Sequence, residues 1–313
     1  MAPRLLVLGA GGFLGRSIVH HIAATGGAEL ILHSRGADDR AGFTDGIESY
    51  ALDLLTCEPG AIAEMIDEIA PDAVINCTGS AVGDLHQMTS ANVVVVLRLI
   101  AELEKCKSLH LVHLGSAAEY GLAAHNVPVS EAMPAMPQSA YGHTKLRATD
   151  HLMQAAAEDR ISVTVLRVFN PVGRFSPETT LPGSAGRKIA VALRTGAPAI
   201  NLGALTSWRD YVDTRDIARA VVAAAVTTPE CSRVLNVGRG EAVESLHLVK
   251  TLAEIAGYTG EIVESDARSL RSASVDWLCA DVQAMKDNLG LAAEYSIEEA
   301  LGELWSGISV SGE

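Results

Sequence analysis

Residues 5–22 constrain this chain more than any other stretch. The apolar run Leu5-Leu6-Val7-Leu8 meets Gly9-Ala10-Gly11-Gly12-Phe13-Leu14-Gly15 and continues into Ser17-Ile18-Val19-His20-His21-Ile22. An apolar run ahead of a glycine cluster reads as a buried parallel strand, and the Ile18, Val19, Ile22 spacing reads as one face of a helix. Glycines at 9, 12 and 15 remove side chains where a pyrophosphate approaches the backbone and where the helix lies close on the strand. Amide donors and the helix dipole then face the anion, with Phe13 and Leu14 on the cofactor side of the turn. The spacing is G-x-x-G-x-x-G, one residue off the G-x-G-x-x-G form, so the turn is a weak signal alone; its place after the first strand strengthens it.

The 313 residues are 48% apolar, enough to bury one large α/β domain or a main domain with a smaller lobe. A net charge of -14 opposes nonspecific attraction to nucleic acid or an anionic membrane surface, so a phosphorylated ligand needs locally placed arginines. Cysteines at 57, 77, 106, 231 and 279 are scattered and lack C-x-x-C spacing. Neither a disulfide framework nor a metal site is expected, and a cytoplasmic setting fits best. The run Leu5–Leu8 is too short for a signal peptide, and no run reaches the roughly 18 apolar residues of a membrane span.

Glu29 to His33 reads as a second strand, turning at Ser34-Arg35-Gly36. An acidic residue about 20 positions past the glycine turn would accept from an adenine ribose and repel a 2′-phosphate. Position 35 is arginine and neither His33 nor Ser34 is acidic, which favours NADP(H) while leaving NAD(H) possible. Tyr50 to Leu52 suggests a third strand ending at Asp53-Leu54, a pair expected beside the adenine. Glu58 to Ala70 reads as an amphipathic helix and Ala73 to Asn76 as the fourth strand, followed by Cys77-Thr78-Gly79, small enough for a cofactor ribose to pass. Asn92 opens an apolar helix, either binding a backbone group across a helix gap or standing exposed.

Leu109 to Leu114 reads as the fifth strand, delivering Gly115-Ser116-Ala117-Ala118-Glu119-Tyr120-Gly121. The Pro-rich passage 128–137 is a loop, and Ser139 or the residues just after it start a helix carrying Tyr141-Gly142-His143-Thr144-Lys145. Tyr141 and Lys145, four apart, share one helix face. Ile161 to Val168 is a β-branched sixth strand. After Asn170, Pro177, Pro182, Gly183 and Gly186 mark an irregular segment ahead of a helix at Lys188 to Arg194. Helices follow at Asp216 to Val226, Leu246 to Ala256, Asp281 to Leu289 and Ile297 to Trp305, with a strand at Val234 to Val237 returning to the main sheet. The expectation is an α/β fold: a doubly wound parallel sheet over residues 1–173, returning near 201–238, with a smaller mixed lobe mostly in 174–313.

Tyr141 and Lys145 form the sharpest catalytic pair. A free phenol, with a pKa of about 10, is a poor base at neutral pH, and an ammonium one turn away favours the phenolate. Such a phenol passes a proton to or from a sugar or alcohol oxygen while nicotinamide moves the hydride, and Ser116 can donate a hydrogen bond to the same oxygen.

Together these residues resemble the extended short-chain dehydrogenases/reductases, whose Rossmann-type members mostly epimerise, dehydrate, decarboxylate or reduce nucleotide-linked sugars. The resemblance runs from residue 4 to about 305. It is carried by the turn at 9–15, Ser116 with Tyr120-Gly121, Tyr141 to Lys145, Arg167-Val168-Phe169-Asn170-Pro171-Val172-Gly173 and Arg209-Asp210-Tyr211-Val212-Asp213. It implies Tyr141 as acid/base, Lys145 as its modifier and ribose contact, and Ser116 as second hydrogen-bond partner. It also implies Asn92 on the cofactor side, Asn170 near the substrate phosphates, Arg209 and Arg271 on a nucleotide diphosphate, and a homodimer through helices 92–105 and 141–157.

Dehydratases of this family carry an Asp-Glu pair where this chain has Ala117-Ala118, so the acid and base of dehydration are missing. A 4-ketoreductase using NADPH and a 4-epimerase holding NAD remain. Arg35 and the segment Asn201-Leu202-Gly203 followed by Arg209 to Asp216, similar to reductases of nucleotide-linked 4-keto-6-deoxyhexoses, favour the reductase. Ser116-Ala117-Ala118 and the Asn170 segment resemble UDP-sugar 4-epimerases equally. A nucleotide-responsive binding protein that keeps only the fold is disfavoured by the complete set Ser116, Tyr141 and Lys145.

Overall fold

The computed structural model describes residues 2–36, 46–106, 109–227, 232–265 and 275–310. Strand β1 (Arg4–Leu8) runs through the glycine turn into helix α1 (Phe13–Thr25), followed by β2 (Glu29–Ser34), β3 (Glu48–Ala51), α2 (Ala61–Ile69) and β4 (Ala73–Asn76). Next come α3 (Leu85–Thr89), a π-turn over Ser90–Val94, α4 (Val95–Leu103), β5 (His110–Ser116), α5 (Ala140–Ala157), β6 (Ser162–Val168) and β7 (Asn170–Val172). The rest comprises α6 (Leu181–Thr195), β8 (Ala199–Leu202), β9 (Trp208–Asp213), α7 (Thr214–Val226), β10 (Arg233–Val237), β11 (Ala242–Glu244), α8 (Ser245–Ala256), β12 (Glu261–Glu264), β13 (Trp277–Leu278), α9 (Gln283–Leu289) and α10 (Ile297–Val310).

The main sheet has the order β10-β6-β5-β4-β1-β2-β3, every pair parallel. Period-2 alternation divides β1 between two cores. Leu5 and Val7 pack with Ile18, Val19 and Ile22 of α1 and with α7, whereas Leu6 and Leu8 pack with α2, α4 and α5. The expected Rossmann-type doubly wound sheet is therefore present. After β1 the chain builds outward through β2 and β3, then returns to build the other way from β4, so the strand order reverses between β1 and β4. A crevice opens at the carboxyl ends of strands at such a point.

A third core gathers α6, α8 and α10 with β8 and β9, and it includes Ile189, Leu202, Tyr211, Leu248, Leu252, Leu301 and Leu304. A small sheet in the order β11-β9-β13, with β7 beside β9, and the pair β12-β8 belong to this smaller mixed part of the fold.

Some boundaries differ from the sequence expectation. Helix α2 begins three residues later than expected because Gly60 sits at φ 93, a left-handed conformation outside a helix. The helix expected to open at Asn92 begins instead at Leu85. There Asp84 and Gln87 form a reciprocal capping box, and the chain then passes through the π-turn into α4. The segment read as irregular up to residue 187 is helical from Leu181: Thr180 caps it, and Pro182 occupies the first turn, where no intrahelical donor is required. Gly183 and Gly186 are contact points rather than breakers. A Cβ at Gly186 would lie 2.5 Å from Ile308 Cδ1 and 2.8 Å from Leu304 Cδ2, so α6 and α10 meet closely there.

Gly186→Val should therefore lower the unfolding free energy by about 1–3 kcal/mol through overpacking. Denaturant titration measures this, and an unchanged midpoint would contradict the close approach of α6 and α10.

Candidate active site

The glycine turn is built by exclusion. A Cβ at Gly15 would stand 2.3 Å from the Gly9 carbonyl oxygen and 2.9 Å from Ala10 Cα, both backbone atoms. Gly9 has φ 73, and a Cβ there would lie 3.1 Å from Thr78 N at the end of the neighbouring strand. Gly12 occupies the cap position of α1 with no side-chain cap, so the first-turn amides and positive dipole end face the crevice. This cradle fits the pyrophosphate of a nicotinamide dinucleotide, because the turn leaves room for no side chain that would compete with a phosphate.

A cleft of about 840 Å³ opens over this turn, and Gly12, Phe13, Leu14, Cys77, Thr78 and Gly79 are among its lining. Gly9 and Gly15 lie beneath it as packing contacts. Asn92, 1% exposed, binds a backbone group across the gap. Its Oδ1 accepts from Ser80 N (2.8 Å), and its Nδ2 donates to Ser80 O (2.8 Å) and Thr144 Oγ1 (2.9 Å). A Cβ on Gly79 would lie 2.6 Å from Asn92 Oδ1, so the loop after β4 is pinned against both Asn92 and α5.

Ser116, Tyr141, Lys145, Asn170 and Arg209 line the rest of the same cleft. Ser139 caps α5 by accepting from Gly142 N, and a Cβ on Gly142 would stand 2.4 Å from Ala118 O. The helix thus seats Tyr141 directly against the turn that carries Ser116. Lys145 is 4% exposed, and its ammonium donates to Leu114 O at 2.6 Å. His113 Nε2 lies 3.4 Å from the same nitrogen. Asn76 Oδ1 accepts from Thr78 N and Thr78 Oγ1, which turns Asn76 Nδ2 toward His113 Nδ1 at 3.0 Å. Burial, then the neighbouring Lys145 charge, hold the His113 imidazole well below its usual pKa, so it is neutral with Nδ1 as acceptor.

Asn170 donates to Asp210 O at 3.1 Å, and Arg209, 6% exposed, donates to the carbonyls of Trp208 and Val275. Between these two cleft residues' partners, Asp210 is fully buried and accepts from the amides of Arg239 (2.8 Å), Gly240 (2.9 Å) and Ala280 (3.2 Å). Burial pushes its carboxyl up to about 6. It anchors β9 so that the flanking Arg209 and Tyr211 reach the cleft.

Asp53 and Leu54, expected beside the adenine, do not line the cleft: Asp53 Oδ1 accepts from Leu55 N in the turn after β3, and Leu54 is 3% exposed in the core of α2 and α4. Ser34 is buried and donates to Gly36 O at 2.9 Å, while Arg35 is exposed at the end of β2. Arg271 lies outside the described residues. Sequence reasoning assigned no supporting role to Asn76, His113 or Asp210; the hydrogen bonds of His113 and Asp210 reach residues 29 or more positions away.

The model of the NAD dependent epimerase/dehydratase family matches residues 5–238. The chain is 35% identical to the dTDP-6-deoxy-L-talose 4-dehydrogenase (NAD(P)(+)) of Kitasatospora kifunensis, over 98% of this chain and 96% of that protein. It is 26% identical to the UDP-glucose 4-epimerase of Azospirillum brasilense, over 96% and 95%. Among solved structures, RMD from Pseudomonas aeruginosa complexed with NADPH superposes with a TM-score of 0.83 at 25% identity, covering 99% of each chain.

A pH signature follows from His113. Its folded pKa lies below the unfolded value of 6.5, so the unfolded chain takes up a proton that the folded chain refuses, and stability is lost as pH falls through that value. This one imidazole should therefore make the fold progressively less stable as pH is lowered below about 6.5. His113→Gln should flatten the pH dependence of denaturant unfolding over that range; equal slopes in the two proteins would contradict a neutral buried imidazole.

Proposed function

The chain belongs to the NAD dependent epimerase/dehydratase family, and we propose that it is an NADPH-dependent 4-ketoreductase of a nucleotide-linked 4-keto-6-deoxyhexose. The observation that carries the reaction class, redox chemistry at a sugar C4 without dehydration, is the composition of one cleft wall. Ser116, Tyr141 and Lys145 stand together, and the two positions after Ser116 are Ala117 and Ala118. That wall can protonate and polarise a sugar oxygen but has no carboxyl pair to strip a C5 proton and expel a C6 hydroxyl.

A nicotinamide dinucleotide held over the glycine turn would supply hydride to the sugar carbon. Tyr141 donates its phenolic proton to the C4 oxygen as charge develops there, and Ser116 donates a hydrogen bond to the same oxygen. Lys145, held by Leu114 O, stands beside that reaction and offers a remaining N–H to the cofactor ribose. Arg209 and Asn170 line the same cleft, and a guanidinium and an amide suit the diphosphate of a nucleotide sugar. Arg271 is a second candidate for that diphosphate. Ser34 and Arg35 present no carboxylate to an adenosine 2′-phosphate, which supports NADP(H).

The 35% identical relative is named for a redox reaction at C4 of a 6-deoxy sugar nucleotide and for either cofactor, which supports the same class. The second reading is an NAD-dependent 4-epimerase, favoured by the 26% identical epimerase and by the Ser116-Ala117-Ala118 and Asn170 segments. The proposal extends to a cytoplasmic homodimer through the faces of α4 and α5, where Leu97 is 42% exposed. No helix among the described residues is long and apolar enough to cross a membrane.

Purified protein mixed with NADPH and a nucleotide-linked 4-keto-6-deoxyhexose should consume the two in equal amounts. Interconversion of 4-epimers without net cofactor oxidation would replace the reductase by the epimerase. Tyr141→Phe should lower kcat by about 10²–10⁴-fold with NADPH binding nearly unchanged, measured by cofactor fluorescence; retained turnover would remove Tyr141 from the chemistry. Arg35→Asp should move preference from NADPH toward NADH by about tenfold or more, equivalent to about 1.4 kcal/mol, and an unchanged ratio of kcat/KM values would refute the 2′-phosphate assignment.

A further inference from the structure

Glu119 is 0% exposed, yet the reaction described above makes no use of it. Its Oε1 accepts from Ser116 N at 2.8 Å, while Oε2 accepts from Thr149 Oγ1 at 3.0 Å and from Arg167 Nε at 2.8 Å. A local account explains only the first contact. Ser116 and Glu119 form a reciprocal capping box over a single 3-10 turn at Ala117–Glu119, which uses one carboxylate oxygen. The other oxygen reaches two elements that no cap requires.

One of those elements carries Tyr141 and Lys145, and the other leads to Asn170. Thr149 lies one helical turn beyond Lys145 and two beyond Tyr141 on α5, so all three share a face. Arg167 lies on β6, three residues ahead of Asn170. The molecule gives up space for this carboxylate, since a Cβ on Gly115 would stand 2.8 Å from Glu119 Oε1 and 3.0 Å from Val165 Cγ1. Arg167 is braced in turn: its guanidinium lies 4.6 Å from the centre of the Tyr120 ring, and the Tyr120 hydroxyl donates to Asn236 Oδ1 at 2.7 Å.

The consequence falls on a proton. Ser116 Oγ accepts from Ala118 N at 3.2 Å within the capping box. A hydroxyl oxygen that accepts there keeps its own O–H for another acceptor, and Ser116 borders the cleft. We propose that Glu119 is a positioning residue that holds Ser116 as a donor toward the substrate oxygen and fixes its register to α5 and β6. This rests on Ser116 acting in the reaction proposed above.

Glu119→Gln keeps an oxygen for Ser116 N but removes the charge opposite Arg167. It should lower kcat about tenfold to a hundredfold while the KM for the sugar and the dissociation constant for NADPH change by less than about threefold. In a Ser116→Ala background the same substitution should have no further effect on kcat, because its action passes through Ser116. Losses that multiply in the double variant would overturn the proposal. Should the lone Arg167 charge prevent folding, Glu119→Gln with Arg167→Met removes both charges and enters the same cycle. Hydrogen exchange on the whole chain reads the bridge without turnover: peptides containing Ser116 and Thr149 should lose protection together in Glu119→Gln. Unchanged protection around Thr149 would refute the coupling. A wild-type chain that oxidises no NADPH would remove the reductase reading, and the exchange result would still decide the positioning role.

Discussion

The seating of α5 on the end of β5 is the constraint on which the proposed chemistry depends. A lysine 4% exposed is tolerable only with hydrogen-bond partners, and the Leu114 carbonyl at 2.6 Å supplies one from the strand that delivers Ser116. Thr144 on the same helix receives Asn92 Nδ2 at 2.9 Å, and Gly142 allows the helix to approach Ala118 O. Glu119 adds a third tie, through Thr149. These contacts come from different elements, so Tyr141 is located by its surroundings and not by helix propensity. Catalytic geometry built this way tolerates little displacement, which is why small shifts in supporting groups are expected to cost rate before they cost binding.

Sheet topology places this arrangement at a crevice. Because the strand order reverses between β1 and β4, the loops after those two strands diverge and leave a crevice, and the glycine turn and the Cys77-Thr78-Gly79 loop form its walls. The smaller part of the fold closes the opposite side with β9, whose buried Asp210 gathers three backbone amides and so presents Arg209 and Tyr211 to the cleft. A net negative chain can hold a doubly charged ligand there because its cations are local: Lys145, Lys188 and Arg209 border the cleft.

Much of this was legible in the sequence, for physical reasons that differ by element. Buried parallel strands announce themselves as apolar runs, so β1, β4 and β6 lay within a residue of their expected positions. The Tyr141–Lys145 helix was legible from its spacing and from Ser139 as a cap. The start of α6 was hidden because Pro182, Gly183 and Gly186 look like helix breakers until the helices packed against them are known. Asn92 could be narrowed to two environments, and only the fold places Ser80 and Thr144 on its amide. His113 and Asp210 could not be singled out, since their partners are 31 or more residues away or are backbone amides. Glu119 was findable: S-x-x-E after an apolar strand is a capping signal, although its links to Thr149 and Arg167 are tertiary.

Reduction and epimerisation use the same wall of Ser116, Tyr141 and Lys145 and differ in where the hydride finishes. NADPH deuterated at the transferable C4 position of the nicotinamide, incubated with a nucleotide-linked 4-keto-6-deoxyhexose, separates them in one measurement by mass spectrometry and NMR of the sugar. A ketoreductase leaves one deuterium at C4 of the sugar for each NADP⁺ formed. A sugar product without deuterium at C4, or deuterium that stays with the cofactor while 4-epimers interconvert, would contradict it.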